Sequence, residues 1–192
     1  MAGGTSTPFG FRPFRHMGGG TPNRYQEYPI ASGYNTSIGT GDPVALISDG
    51  TITLCAAGTR ILGIFQGVDY IDPTGSVIFS AYWPASTETR TDIKAHVITD
   101  GQVTYEVESN KSSAPVQTDV GLLANHLAGT VSTLHGGSAA VLDATQTSGD
   151  AGFRILSLIK KPTNTGAQYD TVEVSIWEHE YNREGTFANP GV

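Results

Sequence analysis

The feature that most constrains this chain is its punctuation. From residue 39 onward, turn signals recur about every 8–12 residues, and short runs of alternating apolar and polar residues lie between them. Gly41-Asp42-Pro43 leads into Val44-Ala45-Leu46-Ile47, and Ser48-Asp49-Gly50 is an Asp-Gly hairpin signal. Ile52 and Leu54 alternate with Thr51 and Thr53, and Ala57-Gly58 turns the chain again. Ile61 to Val68 is apolar but carries Gly63 and Gly67, which point to bulges or close backbone approach. Asp72-Pro73-Thr74-Gly75 is a four-residue turn, after which Val77, Phe79 and Ala81 alternate with Ile78, Ser80 and Tyr82. Ile93, Ala95 and Val97 share one strand face. Asp100-Gly101 reads as a further hairpin, returning through Val103, Tyr105 and Val107, with Thr104, Glu106 and Glu108 on the opposite, solvent-facing side.

Composition agrees with this pattern. Thr, Val and Ile number 49, against 24 for Leu, Met, Glu and Lys. Branched Cβ atoms restrict χ1 and pack well on a pleated surface, so the imbalance favours strands. The expected fold class is all-β: an antiparallel β-barrel or sandwich, β-tulip-like or jelly-roll-like, with an extended N-terminal arm. Residues 31–183 form the β-rich domain, with a long loop or small lobe at 109–150, and 184–192 form a C-terminal tail. Within 109–150, Val116, Val120, Leu123 and Leu127 are spaced 4, 3 and 4 apart, which predicts a short helix around 115–128 that Gly121 weakens. Residues 129–152 read as a long loop around one short strand at 139–142. Two strands close the chain, at 154–159 and around Val172, Val174 and Ile176.

Residues 1–30 differ from the rest. Gly3-Gly4, Gly18-Gly19-Gly20 and four prolines exclude a long helix or central strand. Aromatic residues that cannot build a core of their own suggest docking on another surface, that of the parent body or of a neighbouring subunit. The candidate contact residues are Phe9, Phe11, Arg12, Phe14, Arg15, Arg24, Tyr25 and Tyr28. Charge is divided in the same way. Residues 1–26 carry three arginines and no acid, whereas the whole chain has a net charge of −7. A body this acidic repels phosphate, which argues against a nucleic-acid partner. No apolar run approaches the roughly 20 residues that span a bilayer, and the first residues lack the features of a signal peptide, so the expected product is soluble and cytoplasmic.

No catalytic, cofactor or metal constellation is expected. The five histidines lack zinc-motif spacing. Glu178-His179-Glu180 on a strand would diverge to two faces. His135-Gly136-Gly137-Ser138 invites an oxyanion reading, but the chain holds no Gly-x-Ser-x-Gly elbow. Asp42, Asp49, Asp69, Asp72 and Asp100 sit at turns, where a carboxylate caps backbone donors. Cys55, the one cysteine, reads as a buried small apolar residue. Tyr82, Trp83 and Trp177 would stack on sugars if exposed, and otherwise belong to a core or subunit seam.

The stretch Thr40-Gly41-Asp42-Pro43-Val44, Asp49-Gly50, Ala56-Ala57-Gly58, Leu62-Gly63-Ile64-Phe65-Gln66-Gly67 and Gly75-Ser76-Val77 resembles the tailed-phage capsid decoration, or cement, proteins. Phe9-Gly10-Phe11-Arg12-Pro13 and Arg154-Ile155-Leu156 are similar to a phage structural family of this size. The resemblance implies a non-enzymatic virion protein, made in the host cytoplasm and placed on the outer capsid surface. There it would be a homotrimer whose partner is the major capsid protein, bridging neighbouring capsid subunits. It implies no cofactor, nucleic acid or membrane. The alternative is a host-surface or carbohydrate-binding module on the phage particle.

Overall fold

In the computed structural model, residues 6–147, 151–159 and 169–181 are described, and they build fourteen strands and one 3₁₀ turn. The first sheet runs β1 (Arg12–His16), β10 (Val103–Glu108), β14 (Thr171–Ile176), β13 (Phe153–Leu158), β11 (Leu123–Leu127), β12 (Val141–Thr147). The second runs β2 (Gln26–Tyr28), β9 (Thr91–Ile98), β6 (Gly63–Ile71), β4 (Pro43–Leu46), β5 (Ile52–Leu54), with β7 (Val77–Ser80) also on β6. A small third sheet joins β3 (Ile38–Gly39) to β8 (Tyr82–Trp83). All pairings between these strands are antiparallel. The protein is thus all-β, as the alternation and composition imply.

Two apolar cores adjoin along β6 and β9. Ile61, Ile64 and Ile98 belong to one, with Tyr105, Phe153 and Val174 from the first sheet. Their chain neighbours Leu62, Phe65 and Val97 belong to the other, with Trp83, Ile38 and Val44. Period-2 geometry sends successive side chains to opposite faces, so here the strands are buried on both sides. Gly63 sits at the junction, and a Cβ there would overlap the Ile98 carbonyl. Gly67, at φ +152°, lies at the β-bulge between Phe65 and Gly67 where β6 shifts register against β9. The turn aspartates Asp49 and Asp72 accept the backbone and side-chain donors that follow them, as their turns require.

Several expectations are corrected. The helix around 115–128 is a 3₁₀ turn, Gln117–Asp119, followed by strand β11. Asp119 accepts the Val116 N–H and both its oxygens take Lys111 Nζ, while Gly121 at φ +94° turns the chain into the strand. The strand expected at 139–142 begins at Val141 and continues to Thr147. Asp100-Gly101 is not a hairpin but a corner, because β9 and β10 belong to different sheets. Thr104, Glu106 and Glu108 are buried, not solvent-facing.

The arm expected over residues 1–30 is, in its described part, built into the fold. β1 forms one edge of the first sheet and β2 one edge of the second. Phe11 is fully buried and stacks on Phe153 with ring centroids 4.2 Å apart. The glycines and prolines do exclude a central strand, but edge strands tolerate both. The tail at 184–192 lies outside the described residues.

Gly63→Ala should lower the unfolding free energy by about 3 kcal/mol, since the Ile98 carbonyl, part of the β6–β9 ladder, cannot withdraw. Gly101→Ala, whose new methyl would meet only the His179 ring at 3.8 Å, should cost under about 1 kcal/mol. Urea unfolding of both variants checks the contrast, and equal costs would contradict it.

Candidate functional site

The N-terminal segment covers a row of carboxylates. Glu106 on β10 and Glu173 on β14 are register partners, so their side chains share a face, and Glu108 lies two residues along. The other face of these strands holds Val103, Tyr105, Val107, Val172 and Val174 in the core. The glutamates should therefore face water, yet Glu106, Glu108 and Glu173 are only 5%, 2% and 1% exposed. Arg15 explains the deepest of them. Its Nε and Nη2 donate to the two oxygens of Glu173 at 2.6 and 2.8 Å, and Ser157 Oγ donates to the same carboxylate at 2.6 Å. Arg12 Nη1 donates to Glu106 at 3.3 Å, and Ser6 Oγ and Thr7 N donate to Glu108 at 2.6 and 2.9 Å.

A buried carboxylate is tolerated only when paired and hydrogen-bonded. Burial pushes the Glu173 carboxyl up, but the Arg15, Ser157 and Thr104 hydrogen bonds outweigh it and hold it below the usual carboxylate range. The same pairing raises the Arg15 guanidinium above its ordinary value. The arginine positions carry a sequence signal that pattern reading did not use. Three acids on neighbouring strands need cations nearby, and residues 1–26 carry three arginines without an acid.

The expected contact residues separate into two groups. Phe11 is core, and Arg12 and Arg15 point their charges at this chain's own carboxylates. Phe9 is half-buried beneath the Arg12 guanidinium, 4.5 Å from its ring centroid. Tyr28 shares a 2.6 Å hydrogen bond with the Tyr181 hydroxyl, and burial with that bond pushes its phenol well above the usual range. The outward group is Phe14, Arg24 and Tyr25, joined by Met17, which sequence reading passed over. Phe14, Met17 and Tyr25 are 43%, 57% and 56% exposed. Tyr25 stands edge-on to His96, whose Nε2 pairs with Asp69 at 2.7 Å. A cleft of about 490 Å³ runs beside the segment, lined by Pro8, Phe9, Arg12, Gln66 and His135.

The reactive groups do not converge. Ser138 Oγ donates to Asp42 and accepts the Ala140 N–H, while His135 Nδ1 accepts the Gly137 N–H, so no imidazole is placed to deprotonate the serine. Asp42 caps the Gly39 N–H as its turn position implies, and it is buried, which raises its pKa. Cys55 is a free, buried thiol whose pKa burial raises, as a packing role requires. His126 Nε2 bonds the Cys55 carbonyl at 2.9 Å rather than its sulfur. His179 is buried. Trp83 is fully buried and donates to the Tyr34 carbonyl at 2.9 Å. Trp177 is 45% exposed, with the Arg154 guanidinium over its ring at 5.0 Å. Among the described residues, no group of three or more His, Cys, Asp or Glu could hold a metal ion, and no helix is long and apolar enough to cross a membrane. No protein-family model, curated protein or solved structure matches the chain.

Two predictions follow the geometry. Arg15→Met should lower the urea midpoint more than Arg12→Met, because it strands the more deeply buried carboxylate. Adding Glu173→Met to Arg15→Met should recover part of the loss, since a buried ion pair can be replaced by apolar residues of similar volume. A double variant no more stable than Arg15→Met alone would refute the stranded-charge account. The second concerns pH. Burial lowers the pKa of His126 and His179 from an ordinary value of 6.5. The unfolded chain then binds protons that the folded chain refuses, so this contribution is full above pH 6.5 and is lost as pH falls below it. The urea midpoint should drop between pH 7.5 and 5.5, and His126→Gln with His179→Gln should flatten that slope.

Proposed function

We propose that this chain is a virion structural protein that binds the outer surface of a phage capsid and bridges major capsid protein subunits as a homotrimer. The observation that carries the reading is the exposure of Phe14, Met17, Arg24 and Tyr25 along the N-terminal segment. Aromatic and arginine side chains exposed together are typical anchors of protein interfaces. Arg15 holds Phe14 in place: it grips Glu173 and lies over the Phe14 ring at 6.0 Å. Such a surface is rigid before binding, which reduces the entropy lost on docking. Many copies, each gripping more than one subunit, turn weak contacts into a tight hold on a closed shell. The resemblance in the turn-and-strand stretch over residues 40–77 supplies the particle.

The test uses point variants rather than removal of residues 1–30, because that would take Phe11 from the core and uncover the acid row. Purified protein is mixed with expanded capsids assembled from the major capsid protein of the same genome, and pelleted. Wild type should co-sediment to saturation, and Phe14→Ser with Tyr25→Ser should lower the apparent affinity at least 10-fold while the unfolding midpoint holds. Sedimentation velocity should give three times the monomer mass. Failure of the wild type to bind at saturating concentration overturns the reading.

A further inference from the structure

We propose that the free edge of β7 is a strand-addition site for an extended segment of another protein, one that places a lysine or arginine between two apolar residues. β7 pairs with β6 on one side, through Val68↔Ser80, Asp69↔Phe79, Tyr70↔Ile78 and Ile71↔Val77. Asp72 N donates to the Ser76 carbonyl at 3.0 Å. Antiparallel ladders alternate bonded and non-bonded pairs, so the β6 bonds fall on Ile78 and Ser80. The N–H and C=O groups of Val77 and Phe79 therefore point away from β6, and no strand among the described residues takes them. Their side chains are open as well, 58% exposed for Val77 and 81% for Phe79. Soluble proteins protect such edges with charge, proline or a covering element. Val77-Ile78-Phe79-Ser80 carries neither charge nor proline.

The chemistry of the occupant comes from the other face of the same strand. Ile78 faces inward and lines a pocket of about 290 Å³ with Tyr70, Asp72, Thr74, Glu88 and Arg90. Arg90 is spent within the fold: its guanidinium lies 4.7 Å from both the Tyr70 and Trp83 rings and donates to the Pro84 carbonyl at 3.0 Å. Glu88, 63% exposed at its side chain, reaches it at 3.7 Å. Asp72 is half-buried and held below the usual carboxylate range by the Thr74 and Ser76 donors. Two carboxylates thus stand against one guanidinium, and a second cation balances them. An added strand alternates its side chains between the two faces. The residue opposite Ile78 enters the pocket, where an aliphatic stem packs on Ile78 and a cationic head meets Asp72 and Glu88. Its neighbours on the strand lie beside Val77 and Phe79, where apolar groups cover both. Charge selects this partner over a second copy of β7, which would bring isoleucine to the pocket and no second cation to its two acids. The proposal stands apart from capsid binding, which uses the N-terminal segment.

The experiment titrates the ¹⁵N-labelled full chain with the peptide Thr-Val-Lys-Val-Thr, its Glu analogue Thr-Val-Glu-Val-Thr, and the Lys peptide with alternate backbone N-methyl groups. The Lys peptide should shift the Val77 and Phe79 amides and slow their hydrogen exchange, with saturation weakening at higher salt. The Glu and N-methyl peptides should bind at least 10-fold more weakly. Phe79→Pro removes one outward donor without touching the β6 ladder, and it should lower Lys-peptide affinity at least 5-fold at an unchanged unfolding midpoint. Unmoved Val77 and Phe79 amides at millimolar Lys peptide overturn the proposal. So does equal binding of the Glu peptide, or concentration-dependent self-association through β7 that the Lys peptide does not compete away.

Discussion

The charged contact between Arg15 and Glu173 determines how the rest of this protein is arranged. Glu173 is the most deeply buried acid of three on the outer face of the first sheet, and its oxygens are filled by Arg15 and Ser157. A sheet in a two-layer protein normally leaves that face to water. Here the face is closed by the chain's own first residues. Closure fixes the path of residues 6–16 across the sheet, and that path delivers Phe11 to the core between His126 and Phe153. Without the carboxylates, β1 would be one more edge strand held by a short, bulged ladder.

This arrangement changes what the N-terminal segment can do. A flexible basic arm would order on a partner and lose entropy as it did so. A segment already clamped to its own sheet presents Phe14 and Tyr25 in fixed positions. Its charges are committed internally, so the outward contact is mainly aromatic and apolar, with Arg24 as its exposed cation. The acidity of the remaining chain then matters less at this surface than the net charge suggests. Arg12 and Arg15 offset it locally, which lets the segment approach an acidic neighbour without strong repulsion.

Much of the strand plan was legible because its signals are local. Asp-Gly and Asp-Pro-Thr-Gly turns, β-branched alternation, and the glycines of residues 61–68 all act within a few residues of themselves. The Gly63 reading, close backbone approach, needed no knowledge of Ile98 to be useful. What stayed hidden depends on distant partners. Arg15 meets Glu173 across 158 positions, and no pattern near either residue announces the other. The 4-3-4 spacing from Val116 to Leu127 mimicked a helix although Val116 and Leu127 at its ends are exposed and only Val120 and Leu123 between them are partly buried. Asp100-Gly101 showed that the chain turns, but not that it turns into another sheet.

Alternation also leaves the sign of a face undetermined, and β7 shows why this matters. Val77 and Phe79 make one apolar face, Ile78 the other, and pattern alone favours burying the pair over the single residue. The fold chooses Ile78, because Tyr70 and Trp83 already lie on that side around the Arg90 guanidinium. The pair is left outside, on a strand whose outward backbone groups meet no strand among the described residues. Two apolar side chains in water cost less than an open second core, so folding alone accounts for their position. It does not account for the absence of a guarding charge at either position, since Lys or Thr at residue 79 would preserve the same ladder and the same core. Residue identity on an outward face is free of packing constraints, so phenylalanine at 79 is better explained by what docks there than by what lies beneath it.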